Sequence, residues 1–363
     1  MRLQGPGPIR LPAPPERRWT EPNIRPTSAG RQHYVPRLHL GRFEVDGLIT
    51  AYDLDAERAF QSTANNLAVE IGYNDFQIGD TTVSTEDWLA RLEATAAPIL
   101  GALIERPSAI RRLSLQDELH LTRYLAAQKF RGPGFRVWNA QLRKQMVEGI
   151  KPIAKASITN ALPKDQAEEL WEHWKDKPTD WWLKEEEPEQ EAEMAAYMLS
   201  QVQGWANLLR AMNWRIGRCP SRGLYTCDNP MSEYVPPIRP WPHTGAAIWE
   251  HGYVFPLSPN LLFWVYPMGY EIAKPRGRRW HRPFSKWETS VALHVVTLNA
   301  TRFLFGEGPY ITRECASSCL DRIDAMQLLV ARTLQGFDPT PPKFDLESVL
   351  AEEPTPTPPP ASR

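Results

Sequence analysis

A histidine and an aspartate stand beside prolines at two places where the backbone is expected to be stiff. His33 lies in the segment 32–36, whose proline imposes an extended conformation on the residue before it. Asp228 is followed by Asn229 and Pro230 at the end of a short apolar run. A fixed imidazole suits a general base or a metal ligand, and a carboxylate at a strand end suits a ligand or an acid. The residue types therefore suggest acid/base chemistry, with a divalent metal as a possible cofactor.

The same residues also have structural explanations. The ring nitrogens of His33 could bond backbone carbonyls and fix the start of the domain. Asx side chains at turns bond their own backbone, so Asp228 and Asn229 would equally suit a simple turn. The sequence leaves both explanations open for each residue.

A third polar group has helical spacing. His120, Tyr124, Gln128 and Arg131 lie three or four residues apart and are predicted to share one face of a helix. The planar guanidinium of Arg131 could clamp a phosphate or a carboxylate, so Gln128, Arg131 and Asn229 are the candidate substrate contacts. The alternative is a solvated face, or an internal salt bridge made by Arg131.

Basic charge is concentrated in one run, at 274–287. Its cations could follow phosphates while its tryptophans stack on bases, which predicts contact with nucleic acid. The alternative is a long solvated hairpin loop. The candidate nucleic-acid contacts are Lys274, Arg276, Arg278, Arg279, Trp280 and Arg282.

Several common chemistries lack their signatures. The chain has neither a Walker loop nor a GxGxxG motif, and Ser258 lacks the elbow motif of a serine hydrolase. No CxxC pair occurs among the four cysteines, which favours small buried thiols over a zinc ribbon. These cysteines are Cys219, Cys227, Cys315 and Cys319.

Composition limits the class of protein. The 363 residues carry a formal net charge of −1, so any attraction to nucleic acid or anionic lipid must be local. Neither a signal-peptide pattern nor an apolar run of membrane-spanning length is evident. We therefore expect a soluble cytoplasmic protein without membrane contact, and the sequence does not give its oligomeric state.

Helical patterns occupy the first two thirds of the chain. Ser84 and Asp87 have the spacing of a capping box, in which side chains satisfy the first helical amides. Ser114 and Asp117 repeat this spacing. Helices are predicted over 84–106, 114–131, 191–214 and 320–334.

Short runs of branched and aromatic residues bounded by Pro, Gly or Asn predict strands, mainly in the last third. They lie at 48–54, 224–227, 253–257, 261–266, 291–298 and 302–305. The order predicts an α+β fold in which a helical N-terminal two thirds packs on a mostly antiparallel C-terminal sheet. The predicted units are a disordered Pro/Arg-rich arm at 1–30, one domain at 31–338 with an acidic helical insertion at about 163–193, and a Pro-rich tail at 339–363.

The chain resembles a known family, the microbial and phage-associated domain of unknown function numbered 4238. The motifs that carry the resemblance span about 270 residues, and Cys227 stands where the family favours serine. This resemblance implies a domain and an order of motifs but no activity. The motifs are QHYVPRLHLGRF (32–43), ITAYDLD (49–55), TANNLAVE with Tyr73, AAQKFRGP (126–133), LYTCDNPM (224–231), FPLSPNLLFWV (255–265) and VVTLN (295–299).

The leading hypothesis is a nucleic-acid-processing enzyme of a nuclease-like, metal-dependent kind. His33 would be its base or metal ligand and Asp228 its ligand or acid. The alternative is a non-catalytic binding or regulatory module in which the polar motifs are structural. Convergence of His33, Gln128, Arg131 and Asp228 in one cleft would favour the enzyme.

Overall fold

The computed structural model describes residues 25–26, 30–78, 81–178, 181–182, 199, 201–220, 223–234, 251–266 and 279–308. These ranges contain both helices and antiparallel sheets, which confirms the α+β class. The helices are α1 (Arg37–Leu40), α2 (Glu86–Glu105), α3 (Leu115–Arg131), α4 (Pro133–Ala161), α5 (Lys164–Trp174), α6 (Val202–Ala211) and α7 (Lys286–Asn299). The strands are β1 (Arg25–Pro26), β2 (Arg31–His33), β3 (Ile49–Asp53), β4 (Arg58–Ser62), β5 (Val69–Ile71), β6 (Asp75–Ile78), β7 (Thr81–Ser84), β8 (Asn213–Arg218), β9 (Thr226–Cys227), β10 (Ser232–Tyr234), β11 (Gly252–Ser258), β12 (Leu261–Tyr266), β13 (Arg279–His281) and β14 (Phe303–Gly306).

A five-stranded sheet forms the centre of the described fold. Its strand order is β10-β11-β12-β8-β13, and all pairs are antiparallel except the parallel pair of β13 and β8. Every residue of β12 is buried. A strand that is covered on both faces reads as a continuous apolar run, which is why LLFWVY is recognisable as a strand from its sequence.

Helices and a second sheet cover the two faces of this central sheet. Side chains of α2, α3 and α6 pack on one face, where Trp214 and Phe255 belong to the same core cluster. Trp264 and Val254 point to the other face and pack with α7. The apolar stripe of α2 is therefore directed at the sheet, as its spacing predicts.

The second sheet joins distant parts of the chain. Its order is β4-β3-β14-β9, entirely antiparallel, and Ala51 of β3 pairs with Phe305 of β14. A pair formed by β2 and β5 and a sheet of order β1-β7-β6 complete the N-terminal region. Strands at 58–84 were not predicted, so the expectation of a helical N-terminal two thirds is wrong in this region.

One of the two capping boxes predicted for the helices is present. Ser114 Oγ accepts from the amide of Asp117 at 3.1 Å, and Asp117 Oδ2 accepts from the amide of Ser114 at 3.2 Å. The box predicted at Ser84 is wrong, because Ser84 ends β7 and α2 begins at Glu86 without a side-chain cap.

Replacing Ser114 by alanine should lower the free energy of unfolding by about 1 kcal/mol, because the first turn of α3 loses its cap. Chemical denaturation of the two proteins measures this difference. Ser157→Ala is the matched control, since Ser157 lies exposed within α4, and it should change stability by less than about 0.5 kcal/mol. Equal losses in both variants would contradict the capping role.

Two other predicted elements differ in the structure. The segment 291–298 is part of helix α7, because Ser285 and Glu288 form a capping box that starts a helix at Lys286. Its branched residues favour strands locally, but packing against the sheet overrides that preference. The predicted helix through 214 ends earlier, and Trp214 lies in β8.

Some predictions fall outside the described residues, including the closing helix at 320–334, the tail at 339–363 and most of the arm at 1–30. Arg25 and Pro26 of that arm pair with β7. Among the described helices, none combines the length and apolarity needed to cross a bilayer.

Candidate functional site

Asp228 follows β9 and is almost fully buried. Oδ1 accepts from the amide of Thr301 at 2.8 Å, and Oδ2 accepts from the amides of Arg302 at 2.7 Å and Phe303 at 3.0 Å. Burial raises the pKa of Asp228 to about 6, while the three amides favour its ionised form. The carboxylate therefore fixes the junction of β9 and β14 through distant backbone amides, rather than a local turn through its own backbone.

Asn229 connects the start of α4 to the end of α7. Its Oδ1 accepts from the amide of Gly134 at 2.7 Å. Its Nδ2 donates to the carbonyl of Asn299 at 2.7 Å and to Thr301 Oγ1 at 2.8 Å. Both ends of the side chain are therefore bonded within the protein.

Two glycines make this contact possible. A Cβ atom at Gly132 would lie 2.5 Å from Asn229 Oδ1, and one at Gly134 would lie 2.6 Å from the same atom. Such distances are shorter than real Cβ contacts, so only glycine admits the Asn229 side chain here. The RGPG and DNP motifs, almost 100 residues apart, thus form one packed joint.

Gly134→Ala should destabilise the protein by about 2 kcal/mol or more, because the added methyl group overlaps Asn229. Gly149→Ala is the control on the same helix. A Cβ there meets nothing within 4 Å, and it should be neutral or stabilising by up to about 1 kcal/mol. Thermal and urea unfolding of both variants measures the difference. A Gly134→Ala protein as stable as Gly149→Ala would contradict the close packing of Asn229 against Gly134.

Arg131 ends α3 and is buried against α2. Its Nη1 donates to Glu93, and its Nη2 lies 3.7 Å from Glu86 Oε1. This is the internal ion pair that the sequence left open. Burial raises the pKa of Glu86, and the charge of Arg131 opposes that rise. The salt bridge anchors α3 to α2 and leaves Nε of Arg131 without a hydrogen-bond acceptor.

The polar stripe of α3 points into the protein. Tyr124, Gln128 and Arg131 are each at most 2% exposed, so the solvated alternative does not hold for them. His120 lies a turn earlier, is half-buried and bonds to Gln116. The hydroxyl of Tyr124, Oε1 of Gln128 and Nε of Arg131 are all buried without a hydrogen-bond partner among the described residues.

Tyr73, in the turn between β5 and β6, has a fourth buried polar atom of this kind. Its buried hydroxyl also lacks a partner in the described part of the chain, and its ring packs 5.1 Å from that of Tyr34. Burial raises the pKa of Tyr73, while the nearby charges of Arg136 and Arg131 lower it. We call Tyr73, Tyr124, Gln128 and Arg131 the α3 cluster.

His33 is half-buried, and the charge of Arg131 acts on its ring. Its Nε2 is 3.2 Å from the carbonyl oxygen of Ala64, which requires a proton on that nitrogen. Burial lowers the pKa of His33, and the charges of Arg131 and Arg37 lower it further. The ring is therefore neutral at pH 7, with its proton directed at the backbone.

The cluster is unusual because buried polar atoms are nearly always paired in folded proteins. Leaving one unpaired costs about 1 to 3 kcal/mol. Three of these atoms belong to side chains on one face of α3 and the fourth belongs to Tyr73, and none has a hydrogen-bond partner among the described residues. Concentrated departures of this kind are typical of ligand sites.

The side chain of Gln32, the first residue of the QHYVP motif, is bonded within the protein. Its Nε2 donates to Asp75 Oδ1 at 2.5 Å, and its Oε1 accepts from the amide of Asn74 at 2.5 Å. Gln32 is buried, so these bonds hold β2 to the turn before β6. The motif thus positions His33 by fixing the strand on which it lies.

The structure describes half of the basic candidates. Arg279 is ion-paired with Glu118 at 3.1 Å and lies over the ring of Trp214, and Trp280 stacks on Tyr266. Arg282 is exposed. Lys274, Arg276 and Arg278 lie outside the described residues, and contact of this run with nucleic acid stays a prediction.

Sequence reasoning missed His39 as a notable residue. It is fully buried, and its Nε2 lies 2.9 Å from Thr226 Oγ1. Burial and the charge of Arg42 lower its pKa to about 3. Thr226 is 187 residues away in the chain, so no local pattern could reveal this pairing.

The thiols of Cys219 and Cys227 are buried, as expected for small core residues. Burial raises the pKa of Cys219 to about 11. Within the described ranges, no three His, Cys, Asp or Glu side chains are grouped as ligands of a metal ion. Cys315 and Cys319 lie outside those ranges.

The described residues form an α+β fold in which α3 carries the buried polar side chains Tyr124, Gln128 and Arg131. Residues 31–286 match the model of one family, described as Protein of unknown function (DUF4238). The chain belongs to this family. The matched span contains the QHYVP, RGP and DNP motifs, whereas VVTLN at 295–299 lies beyond it. No curated protein and no solved structure matched the chain.

Proposed function

We propose that this protein binds a small polar ligand at the α3 cluster, with Gln128 and Arg131 as direct contacts. The observation that carries the proposal is the set of four buried polar atoms without partners. It supports a ligand-binding module, a class that the sequence left open beside the enzymes.

The atoms of the cluster define what such a ligand must offer. Gln128 Oε1 accepts hydrogen bonds, Arg131 Nε donates them, and a tyrosine hydroxyl does both. The charge of Arg131 is already paired with Glu93. This part of the site therefore favours a neutral polar group, either a hydrogen-bond donor or an acceptor, over a charged one. The half-buried ring of His33, on which the charge of Arg131 acts, could contact the same ligand.

Asp228 and Asn229 have a supporting part in this proposal. Their side chains connect β9 to β14 and to the start of α4. Helix α4 begins two residues after Arg131. Asn229 was a candidate substrate contact, but its bonds to the protein favour a positioning role.

A screen of thermal stability tests the proposal. The full chain would be mixed with nucleotides, sugar phosphates, amino acids and dicarboxylic acids, and hits would be confirmed by calorimetry. At least one hit should lose 10-fold or more of its affinity in Gln128→Leu. The control Gln145→Leu changes an exposed glutamine of α4 and should keep the affinity. Hits that bind all three proteins equally would place the site elsewhere.

A second candidate function is nucleic-acid processing with His33 as the base. It is favoured by the neutral imidazole of His33, because a general base must be unprotonated, and the positive charge of Arg131 helps to keep that ring neutral. The test is incubation with single- and double-stranded DNA and RNA, with Mg²⁺ or Mn²⁺. Degradation should disappear in His33→Ala, and degradation that persists in this variant would contradict the role of His33.

A further inference from the structure

Arg42 is a half-buried cation that forms no ion pair among the described residues. It is the middle residue of the helical turn Gly41–Phe43 that follows α1, and its Nη1 is buried with no hydrogen-bond partner in the described ranges. Burial lowers its pKa, and the group that opposes this is Tyr124, which is neutral at pH 7. No ion pair joins Arg42 to a carboxylate among the described residues. A buried polar atom is normally paired, so Nη1 of Arg42, unpaired among the described residues, is available to a ligand.

Two further buried groups lie beside Arg42, and neither can neutralise it. Tyr124 and His39 are both 0% exposed. Both rings pack on the same side chain, with centroids 6.3 Å and 4.7 Å from that of Phe255. The Tyr124 hydroxyl and Nδ1 of His39 have no partner among the described residues. The charge of Arg42 also helps to keep His39 neutral.

We propose that Arg42 and Tyr124 form an anion subsite, which takes a phosphate or carboxylate group of the ligand that binds at the α3 cluster. This inference rests on the proposed ligand site, because Tyr124 belongs to both. The rest of the ligand would extend along α3 toward Gln128 and Arg131, one and two turns further along the same face.

The side chains of Arg42, Tyr124 and His39 together favour a ligand group with an anionic oxygen. A guanidinium donates hydrogen bonds and carries positive charge, and a phenol can donate its proton beside it. Phe43 and Phe255 pack around His39 and limit solvent, which strengthens the attraction between an anion and Arg42. His39 is bonded to Thr226, so it lines the subsite without adding charge.

Calorimetric titration of the full chain with inorganic phosphate and with sodium acetate tests the subsite. Sodium chloride at matched ionic strength controls for general salt effects. We expect saturable binding of at least one anion. The affinity should fall at least 10-fold in Arg42→Met and about 3-fold in Tyr124→Phe, and Arg42→Lys should lose less than Arg42→Met. Comparing the two anions shows whether phosphate or carboxylate is preferred.

Arg37→Met is the matched control, because Arg37 is an exposed arginine at the other end of the same helical segment. It should bind as the wild type does. If Arg42→Met does not fold, Arg42→Lys and Tyr124→Phe still decide the question. Absence of saturable binding of either anion, or unchanged affinity in the Arg42 and Tyr124 variants, would overturn the inference.

The failure of this inference can be distinguished from failure of the proposed function. If a ligand from the screen loses affinity in Gln128→Leu but not in Arg42→Met, the α3 cluster binds ligands and the anion subsite is refuted. If neither variant affects any ligand, both proposals fall.

Discussion

Asp228→Ala should lose about 3 to 5 kcal/mol of unfolding free energy, because three backbone amides lose their acceptor together. An unpaired buried donor costs about 1 to 3 kcal/mol, and these three bonds are part-buried, so each loss lies toward the lower end of that range. The donors are the amides of Thr301, Arg302 and Phe303, at the point where the chain enters β14. Since β14 pairs with both β3 and β9, loosening this point should weaken the whole second sheet.

Urea denaturation followed by circular dichroism measures this loss. Asp55→Ala serves as the control, because the Asp55 side chain is 73% exposed and lies 3.7 Å from Arg302 in a surface ion pair. We expect it to change stability by less than about 1 kcal/mol. If Asp228→Ala were as stable as Asp55→Ala, the carboxylate would have no structural task and a catalytic role would regain support.

The stability of the protein should fall in acid because of His39. Its pKa in the folded protein is about 3, below the value of about 6.5 expected in the unfolded chain. The unfolded chain therefore binds a proton first, and stability from the neutral ring is fully present above pH 6.5. It is lost as the pH falls toward 3, by roughly 4 to 5 kcal/mol in total.

Denaturation curves at pH values from 7.5 to 4 measure this slope. His39→Gln removes the titrating group but keeps a polar side chain near Thr226. Its stability should therefore depend less on pH, by up to about 1.4 kcal/mol per pH unit below 6. Identical slopes in the two proteins would show that His39 is not held neutral by the fold.

Local chemistry explains which parts of the fold could be predicted. The cap at Ser114 involves residues three positions apart, and the β12 run is apolar on both faces, so each is visible in a short window. The helix over 291–298 was missed because packing against the sheet, rather than propensity, determines its structure. Short windows also cannot show that Asp228 bonds residues more than 70 positions away.

The candidate site was predictable in part for the same reason. Helical spacing placed Tyr124, Gln128 and Arg131 on one face, and they do share it. Whether that face meets solvent or protein depends on α2 and the N-terminal strands, which come from other parts of the chain. Arg42 and His39 carry no pattern of their own, and their significance lies in the buried Nη1 and Nδ1 atoms, which have no partner among the described residues.

If the α3 cluster serves a ligand, its unpaired atoms lower the stability of the fold. The free energy of unfolding of Gln128→Leu, measured without added ligand, tests this expectation most directly. If Oε1 of Gln128 is reserved for a ligand, removing it relieves an unpaired buried acceptor, and the variant should be about 1 kcal/mol more stable than wild type. A loss of 1 kcal/mol or more would show that Gln128 is part of the structural framework and would contradict the account.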